Sequence, residues 1–153
     1  MQESMAYQQR IDAVGLPLLA AAVPHCRDEA ISTTGVTFTN YVSFQPMDRK
    51  PARKVIGTEE RLHAVWVVPG LAADRAGLRA GDVLLRIDGK SAPTGEMATE
   101  AWQAAIPPAL RRGDPIELVV LRGTEEIAAR IEPTAICPYR MELWGNRLDV
   151  FAR

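Results

Sequence analysis

The chain has 153 residues, of which 47% are apolar, and it is long enough for one compact domain with an appendage. Its formal net charge of −1 excludes a bulk attraction to nucleic acid or to an anionic membrane. No run of about 18 apolar residues occurs, so we expect no membrane-spanning helix in this chain. The apolar stretch 13–23 lacks a basic flank, and we expect that any export signal was trimmed or never existed.

The N-terminal third is predicted to hold one helix, one strand and a second, shorter helix. Residues 4–23 carry apolar side chains at helical spacing, and Pro17 is expected to kink or break that helix. Residues 33–44 alternate apolar with polar side chains and are rich in β-branched residues, which indicates a strand. Residues 48–56 are predicted as a short helix with Pro51 in its first turn.

The middle of the chain is predicted to hold two core strands separated by a short helix. The continuous apolar run 63–68 indicates a strand buried on both faces, and residues 83–87 indicate a second core strand. Between them, residues 71–76 have room for at most two helical turns, which we expect Gly77 to cap in the left-handed conformation. The Asp-Gly pair at 88–89 is typical of a hairpin turn.

The second half adds a longer helix and a hairpin. Residues 96–106 carry one apolar stripe and predict a helix that Pro107-Pro108 would end. Residues 116–121 and 126–132 are predicted to pair, and residues 137–144 to form a further strand. This pattern predicts an α+β fold, mainly β: a partly open barrel of five or six short strands, capped by two helices, with an additional N-terminal helix.

The segment AADRAGLRAGDVL at 72–84, followed by IDG at 87–89, resembles the signature of a bacterial PDZ domain. The resemblance covers about residues 33–133 and implies the PDZ fold. Within the segment, the glycines permit backbone angles that other residues resist, and the alanines let the short helix lie close to the barrel. We therefore interpret this segment as scaffold that does not itself contact a ligand.

The PDZ resemblance implies a groove that binds the C-terminal end of a partner chain as an added antiparallel strand. A glycine-containing loop would hold the terminal carboxylate, and the sequence TTGVTF at 33–38 is similar to that loop, with Thr37 in place of the second glycine. The helix at 96–106 would form the opposite wall. The residues expected to bind the peptide or its carboxylate are Thr34, Gly35, Val36, Thr37, Phe38, Trp102, Ala105 and Ile106.

Alternatives stay open for these assignments. Trp102 and Ile106 also fit plain core packing, because the apolar stripe of a helix usually faces the core. A second candidate loop lies at residues 55–58. A basic cluster either attracts acidic peptides or is a solvated helix face, and its members are Arg49, Lys50, Arg53 and Lys54.

No set of residues typical of catalysis occurs in the sequence. His25 and His63 are the two histidines, and there is no H-E-x-x-H zinc motif, no G-x-S-x-G motif and no phosphate loop. Cys26 and Cys137 do not form a C-x-x-C motif. We therefore expect this chain to have no enzymatic activity of its own, no metal and no cofactor.

The flanks carry a second resemblance, to the N-terminal region of envelope zinc metallopeptidases of the CAAX-prenyl-protease type that contain a PDZ domain. The order is helix, cysteine, PDZ segment, then CPYRMELW from residue 137 and LDVFA from residue 148. In that family N-A-F/Y-A precedes the catalytic helix, and here Asp149-Val150 replaces Asn-Ala. The arrangement implies a disulfide between Cys26 and Cys137 and hence an oxidising compartment such as the periplasm, with two buried free thiols as the alternative.

Three segments are expected: a helix and linker at 1–30, a PDZ-like domain at 31–134, and a C-terminal strand at 135–153 leading toward an absent or lost catalytic domain. We expect a non-catalytic module of a bacterial envelope protease, in the periplasm or cell envelope. It would bind hydrophobic C-termini or extended peptides of other proteins, or contact its own protease domain. The alternatives are a structural or autoinhibitory insert whose groove is self-occupied, and a fragment of an active zinc metallopeptidase.

Overall fold

The computed structural model describes residues 2–144 and 147–152 and has an α+β fold of helices and open antiparallel sheets, as predicted. The helices are α1 (Gln2–Ala21), α2 (Val23–Cys26), α3 (Pro46–Ile56), α4 (Ala72–Arg75) and α5 (Ala98–Arg112). The strands are β1 (Ile31–Thr33), β2 (Val36–Thr39), β3 (His63–Val67), β4 (Val83–Ile87), β5 (Lys90–Ser91), β6 (Ile116–Arg122), β7 (Glu125–Ile131), β8 (Thr134–Ile136), β9 (Tyr139–Trp144) and β10 (Arg147–Ala152). Short 3-10 helices span Arg27–Glu29 and Tyr41–Ser43.

The strands form three antiparallel sheets. The largest has the order β2-β3-β4-β6-β7, with β5 paired to β4. The second pairs β1 with β8, and the third is the β9–β10 hairpin. Strand β2 is therefore an end strand of the main sheet, and this position determines where the candidate site lies.

The main core lies between the large sheet and helices α4 and α5. Its side chains are apolar, and those that the longer strands contribute come from alternate positions, as expected where one sheet face is covered. The large ones that are almost fully buried are Phe38, Leu62, Leu84, Ile116, Leu118, Val120 and Ile131. Full burial of each such side chain stabilises the fold by about 1.5–3 kcal/mol.

The strand predicted at 33–44 is divided in the structure. Gly35 has a φ of +73° and separates β1 from β2. Beyond Thr39, the buried side chain of Asn40 accepts a hydrogen bond from the Ser43 amide at 3.0 Å and caps a 3-10 helix. A side chain–backbone hydrogen bond of this kind competes with strand pairing, and residue alternation does not reveal it.

Helix α5 continues to Arg112, so the prediction that Pro107-Pro108 end it is wrong. The two prolines cannot donate to the carbonyl groups of Gln103 and Ala104, but both of these residues are exposed and water can replace the lost bonds. The additional turn buries Ala109 in the main core, and the helix ends where Gly113 adopts a φ of +69°.

Helix α1 likewise passes through Pro17 without a break. Packing compensates for the hydrogen bond that the proline removes, because Leu19 is buried in a second apolar cluster with Ile136. In α3, Pro51 lies at the sixth position and not in the first turn. Within the described residues, no helix has both the length and the apolarity needed to cross a membrane.

The predicted disulfide between Cys26 and Cys137 is present, with a Cα–Cα distance of 5.8 Å. It lies in the second apolar cluster, where the Cys137 amide also donates to the Leu19 carbonyl at 3.0 Å. The C-terminal segment contains the β9–β10 hairpin in place of the single strand expected at 137–144. Strand β8 crosses the boundary predicted at residue 134, and the division into three segments stays a prediction.

Reduction of the Cys26–Cys137 disulfide is expected to destabilise the chain. The bond closes a loop with a sequence separation of 111 residues, for which the chain-entropy model gives about 4–5 kcal/mol. Urea unfolding followed by tryptophan fluorescence, with and without reductant, measures the change. A variant with both cysteines replaced by serine is the control and should not respond to reductant. Equal midpoints for the oxidised and the fully reduced chain would contradict the prediction.

Candidate functional site

The loop between β1 and β2 is held tightly against the turn that leads into α4. The carbonyl of Thr34 accepts a hydrogen bond from the Ala73 amide at 2.9 Å, and that of Gly35 accepts one from the Val68 amide at 2.8 Å. A Cβ at Gly35 would lie 2.7 Å from the Cβ of Leu71. Only glycine combines this close approach with a φ of +73°, so the predicted loop has a fixed path.

The amides of this loop have acceptors within the chain. The Gly35 amide donates to the Thr33 hydroxyl at 3.2 Å, and the Val36 amide donates to the Thr34 hydroxyl at 3.4 Å. Both distances lie at the long end of hydrogen bonding. A carboxylate that bound these amides would have to replace both hydroxyls.

Strand β2 offers one unpaired edge. Its other edge pairs with β3, in a register that shifts between Thr37 and Phe38. Helix α5 packs beside β2, and among the described residues no strand occupies the outer edge. An unpaired row of backbone donors and acceptors beside a helix is the arrangement that an added strand requires.

The floor between β2 and α5 is apolar and closely packed. The rings of Phe38 and Trp102 meet edge to face, with centroids 4.8 Å apart, and both side chains are at most 5% exposed. Ile106 belongs to the same core. The structure therefore brings these three predicted residues together as core packing that also underlies the groove. Val36 is half-buried and Thr37 is exposed on the strand itself.

Helix α5 also turns the side that carries Thr99 toward β2. The hydroxyls of Thr99 and Thr39 lie 3.0 Å apart, which identifies the side of the helix that faces the strand. Gln103 and Ile106 follow Thr99 at helical spacing on that side, whereas Ala105 is exposed at another angle of the helix. Gln103, and not Ala105, therefore lies on the side of α5 that carries Thr99.

A partly buried polar network joins the end of β2 to the start of α5 near Thr99. The Thr99 hydroxyl donates to Ser43 Oγ at 2.8 Å, and Ser43 Oγ donates to Asn40 Oδ1 at 2.6 Å. Asn40 is fully buried, and its Nδ2 donates to the carbonyls of Glu60 and Gly95. This network fixes the distance between the end of β2 and the start of α5. No sequence pattern indicated it.

A cavity of about 310 Å³ lies past the loop at the other end of α5. The sequence did not indicate this cavity, because Pro107-Pro108 predict a helix end before Leu110. Helical spacing from Ile106 to Leu110 was the signal that could have indicated it. Its lining residues are Ala30, Ile31, Ser32, Leu110 and Arg111.

The two open alternatives are resolved by position. Residues 55–58 contain the end of α3 and the following turn, and they lead into no edge strand. In the basic cluster, Arg49 pairs with Glu96 and Arg53 stacks on the Tyr41 ring at 4.3 Å, while Lys50 and Lys54 are exposed. The cluster is a helix face whose arginines have structural partners.

His63 is a titratable group whose pKa is shifted by its surroundings. It lines a second cavity of about 320 Å³ between α1, α3 and β3, and its Nε2 is buried without a hydrogen-bond partner. Burial lowers the pKa of His63 below its ordinary value, and nearby Arg61 lowers it further while Glu59 opposes this. No group of three or more His, Cys, Asp or Glu side chains in the described residues is placed to hold a metal ion.

Replacing Gly35 with alanine is expected to destabilise the chain more than the same change at Gly123. Both glycines have a positive φ, +73° and +62°, but only Gly35 lacks space for a Cβ. The backbone strain shared by the two variants is about 1–2 kcal/mol, and the clash with Leu71 adds to it at Gly35 alone. Urea unfolding of the two variants measures the difference. Equal losses would show that the loop can move away from Leu71.

The stability of the chain is expected to fall between pH 7 and pH 5 partly because of His63. Its folded pKa is lowered, so the unfolded chain binds more protons and stability is lost as the pH falls below the ordinary value of about 6.5. The His63→Gln variant should lose less stability over the same interval. Urea midpoints at several pH values test this, and parallel curves for the two proteins would refute it.

Comparison with known proteins identifies the domain. Residues 63–122 match the family described as PDZ domain. The serine protease HTRA1 of Xenopus tropicalis is 31% identical over 74 residues, which are 48% of this chain and 15% of that protein. One similar solved structure is an HtrA3 PDZ domain bound to a phage-derived ligand, with 17% identity and a TM-score of 0.48; the match covers 70% of this chain and 88% of that one. Another is the HtrA-type protease AlgW with a decapeptide, with 22% identity and a TM-score of 0.47; the match covers 75% of this chain and 32% of that one. Residues 63–122 of this chain thus belong to a PDZ domain.

Proposed function

We propose that this chain is the non-catalytic peptide-binding module of a larger bacterial protease. It binds hydrophobic C-terminal or extended peptides by adding them as a strand to β2. The observation that carries the proposal is the unpaired outer edge of β2, which lies beside α5 above the apolar floor of Phe38 and Trp102. Strand addition obtains affinity from main-chain hydrogen bonds and specificity from pockets for alternate side chains.

The geometry favours an open groove over the self-occupied alternative. Helix α1 lies elsewhere, since Gln9 reaches the Val65 carbonyl of β3 and Leu19 packs in the disulfide cluster. Strands β8 and β9 are paired with β1 and β10. Within residues 2–144 and 147–152, no strand of the chain competes for the outer edge of β2.

The catalytic class of the larger protein has two candidates. The curated relative is named a serine protease, and the two solved structures described above come from HtrA-type proteins. The comparisons give no support to the zinc metallopeptidase context that the flanks resemble. Similarity to the curated relative spans only 15% of that protein, so we propose a protease parent and favour the serine class. In the full-length protein, labelling by a fluorophosphonate would support the serine class, and inhibition by a zinc chelator would support the metallopeptidase.

We also propose a location in the periplasm or cell envelope. The disulfide between Cys26 and Cys137 supports this, because structural disulfides persist in oxidising compartments. There, a module that binds exposed extended segments would bring unfolded proteins to the protease. Alternatively, it would regulate the protease by contacting the protease domain of its own chain.

Peptide binding is tested by NMR titration of the full chain with pooled peptides that end in a free Val, Leu, Phe or Ala carboxylate, together with amidated copies. Shifts confined to β2, its preceding loop and α5 are expected. Gln103→Trp places a large side chain on the side of α5 that faces β2. It should weaken peptide binding about tenfold or more, since the peptide then loses an apolar contact with the floor of the groove. Ala105→Trp is the matched control at another exposed position of α5 and should leave the peptide affinity unchanged. No shift with any peptide would refute the proposal.

A further inference from the structure

Strand β7 lies at the end of the main sheet opposite to β2 and has an outer edge of its own. It pairs with β6 from Glu125 to Ile131 without a shift of register, whereas the pairings of β2 and β4 contain such shifts. Among the described residues, no strand occupies the outer edge of β7. Natural proteins usually protect a sheet edge with a bulge, a proline or a very short strand. The seven-residue strand EEIAARI has no such protection.

One face of β7 is covered and the other is open. The side chains at 127, 129 and 131 pack in the main core, to which α4 also belongs. Glu126, Ala128 and Arg130 alternate with them and are exposed, and the side chains of Glu126 and Arg130 are 54% and 59% exposed. A strand that paired with this edge would therefore extend the sheet and leave the core side chains in place.

The exposed side chains of β7 are complementary to those of a second copy of β7. When two copies pair antiparallel about a two-fold axis at Ala128, Glu126 of each copy lies opposite Arg130 of the other. Opposite charges in directly opposed positions stabilise a strand pair, and the small Ala128 meets its own copy at the axis. On the other face, Ile127 lies opposite Ala129 of the second copy.

Charge also selects this register over its neighbours. A shift of two residues in one direction would place Glu126 opposite Glu132, and these like charges repel. A shift in the other direction would place Arg130 opposite Thr124, which lies in the turn before β7. Only the central register of these three opposes unlike charges.

Ion pairs within each copy extend the complementarity across the sheet. Arg86 of β4 contacts Glu126 at 2.8 Å, and Glu117 of β6 contacts Arg130 at 2.8 Å. Across two joined sheets, the order of these side chains becomes Glu117, Arg130, Glu126, Arg86, so negative and positive charges alternate. The second copy therefore adds an opposite charge beside each of Glu126 and Arg130 without removing the existing partner.

We propose that the outer edge of β7 joins two copies of this chain into a two-fold symmetric dimer. The two main sheets then form one continuous sheet with a strand β2 at each end. Because one strand pair buries less area than a standard protein interface, we expect the dimer to be weak and reversible. If the proposed function holds, the dimer presents two peptide grooves and gains avidity for a chain that reaches both.

A cysteine at the two-fold axis tests the geometry of the pair. In an antiparallel pair, directly opposed Cα atoms lie about 4.5–5.5 Å apart, within the range that a disulfide spans. Under mild oxidation, the Ala128→Cys chain should form a covalent dimer about tenfold faster than Ala105→Cys, because pairing holds its two thiols together. Ala105 is the matched control, an exposed alanine of α5. Equal rates on non-reducing electrophoresis would contradict the proposal.

Charge reversal tests the register. Glu126→Arg and Arg130→Glu each oppose like charges across the axis, and each should raise the dissociation constant of the dimer about tenfold. The double variant opposes unlike charges again and should regain the association of the unchanged chain. Arg112→Glu also reverses an exposed arginine of an ion pair, and this control should leave the constant unchanged. Sedimentation velocity of the full chain at increasing concentration measures these constants.

The outcomes are separate from those of the peptide titration. A chain that stays monomeric up to millimolar concentration overturns the dimer, whether or not peptides bind at β2. A dimer that neither single reversal weakens, or that the double variant does not restore, forms through another surface, and the proposal is then wrong. A dimer that follows the charge pattern supports it even if no peptide binds.

Discussion

The buried carboxylate of Asp82 is a polar contact on which several elements around the candidate site depend. It is 1% exposed, accepts hydrogen bonds from Arg122 Nε and Nη2 at 2.8 Å, and accepts another from the Arg79 amide. Arg122 also donates to the Gly77 carbonyl, and the backbone of Asp82 accepts from the Ala64 amide. One side chain and its own backbone thereby join β3, the turn after α4, and the end of β6. The hydrogen bonds that Arg122 donates to the Asp82 carboxylate raise the pKa of Arg122.

The elements that Asp82 connects also hold the loop at one end of the candidate groove. The turn after α4 holds this short helix in place. The Ala73 amide of α4 then donates to the Thr34 carbonyl, and the side chain of Leu71, just before α4, packs against Gly35. These contacts hold the loop before β2, while Asn40 holds the end of β2 against α5 through Ser43. The two ends of β2 are thus held in place by contacts within the chain. Preorganisation of this kind lowers the ordering cost of binding.

The flanking segments are attached by a different kind of constraint. Helix α1 and strand β8 share an apolar cluster that contains few large side chains, and the Cys26–Cys137 disulfide lies within it. A small cluster contributes little hydrophobic stabilisation, so the covalent bond, which reduces the entropy of the unfolded chain, carries a large share of the attachment. Helix α1 contacts β3 through Gln9 and this cluster through Leu19.

Local signals in the sequence determined the α+β class, the short helix capped by Gly77, the hairpin turn at 88–89, the 116–132 hairpin and the loop at Gly35. Each depends on residues close together in the chain, namely backbone angles that glycine permits and side-chain alternation. The resemblance also indicated the disulfide. Tertiary structure alone decided that α5 continues past Pro107-Pro108, that Thr99 lies beside Thr39 of β2, and that a cavity opens between β1 and the end of α5. These features depend on packing between residues far apart in sequence, because the last turn of α5 buries Ala109 in the main core and 60 residues separate Thr39 from Thr99.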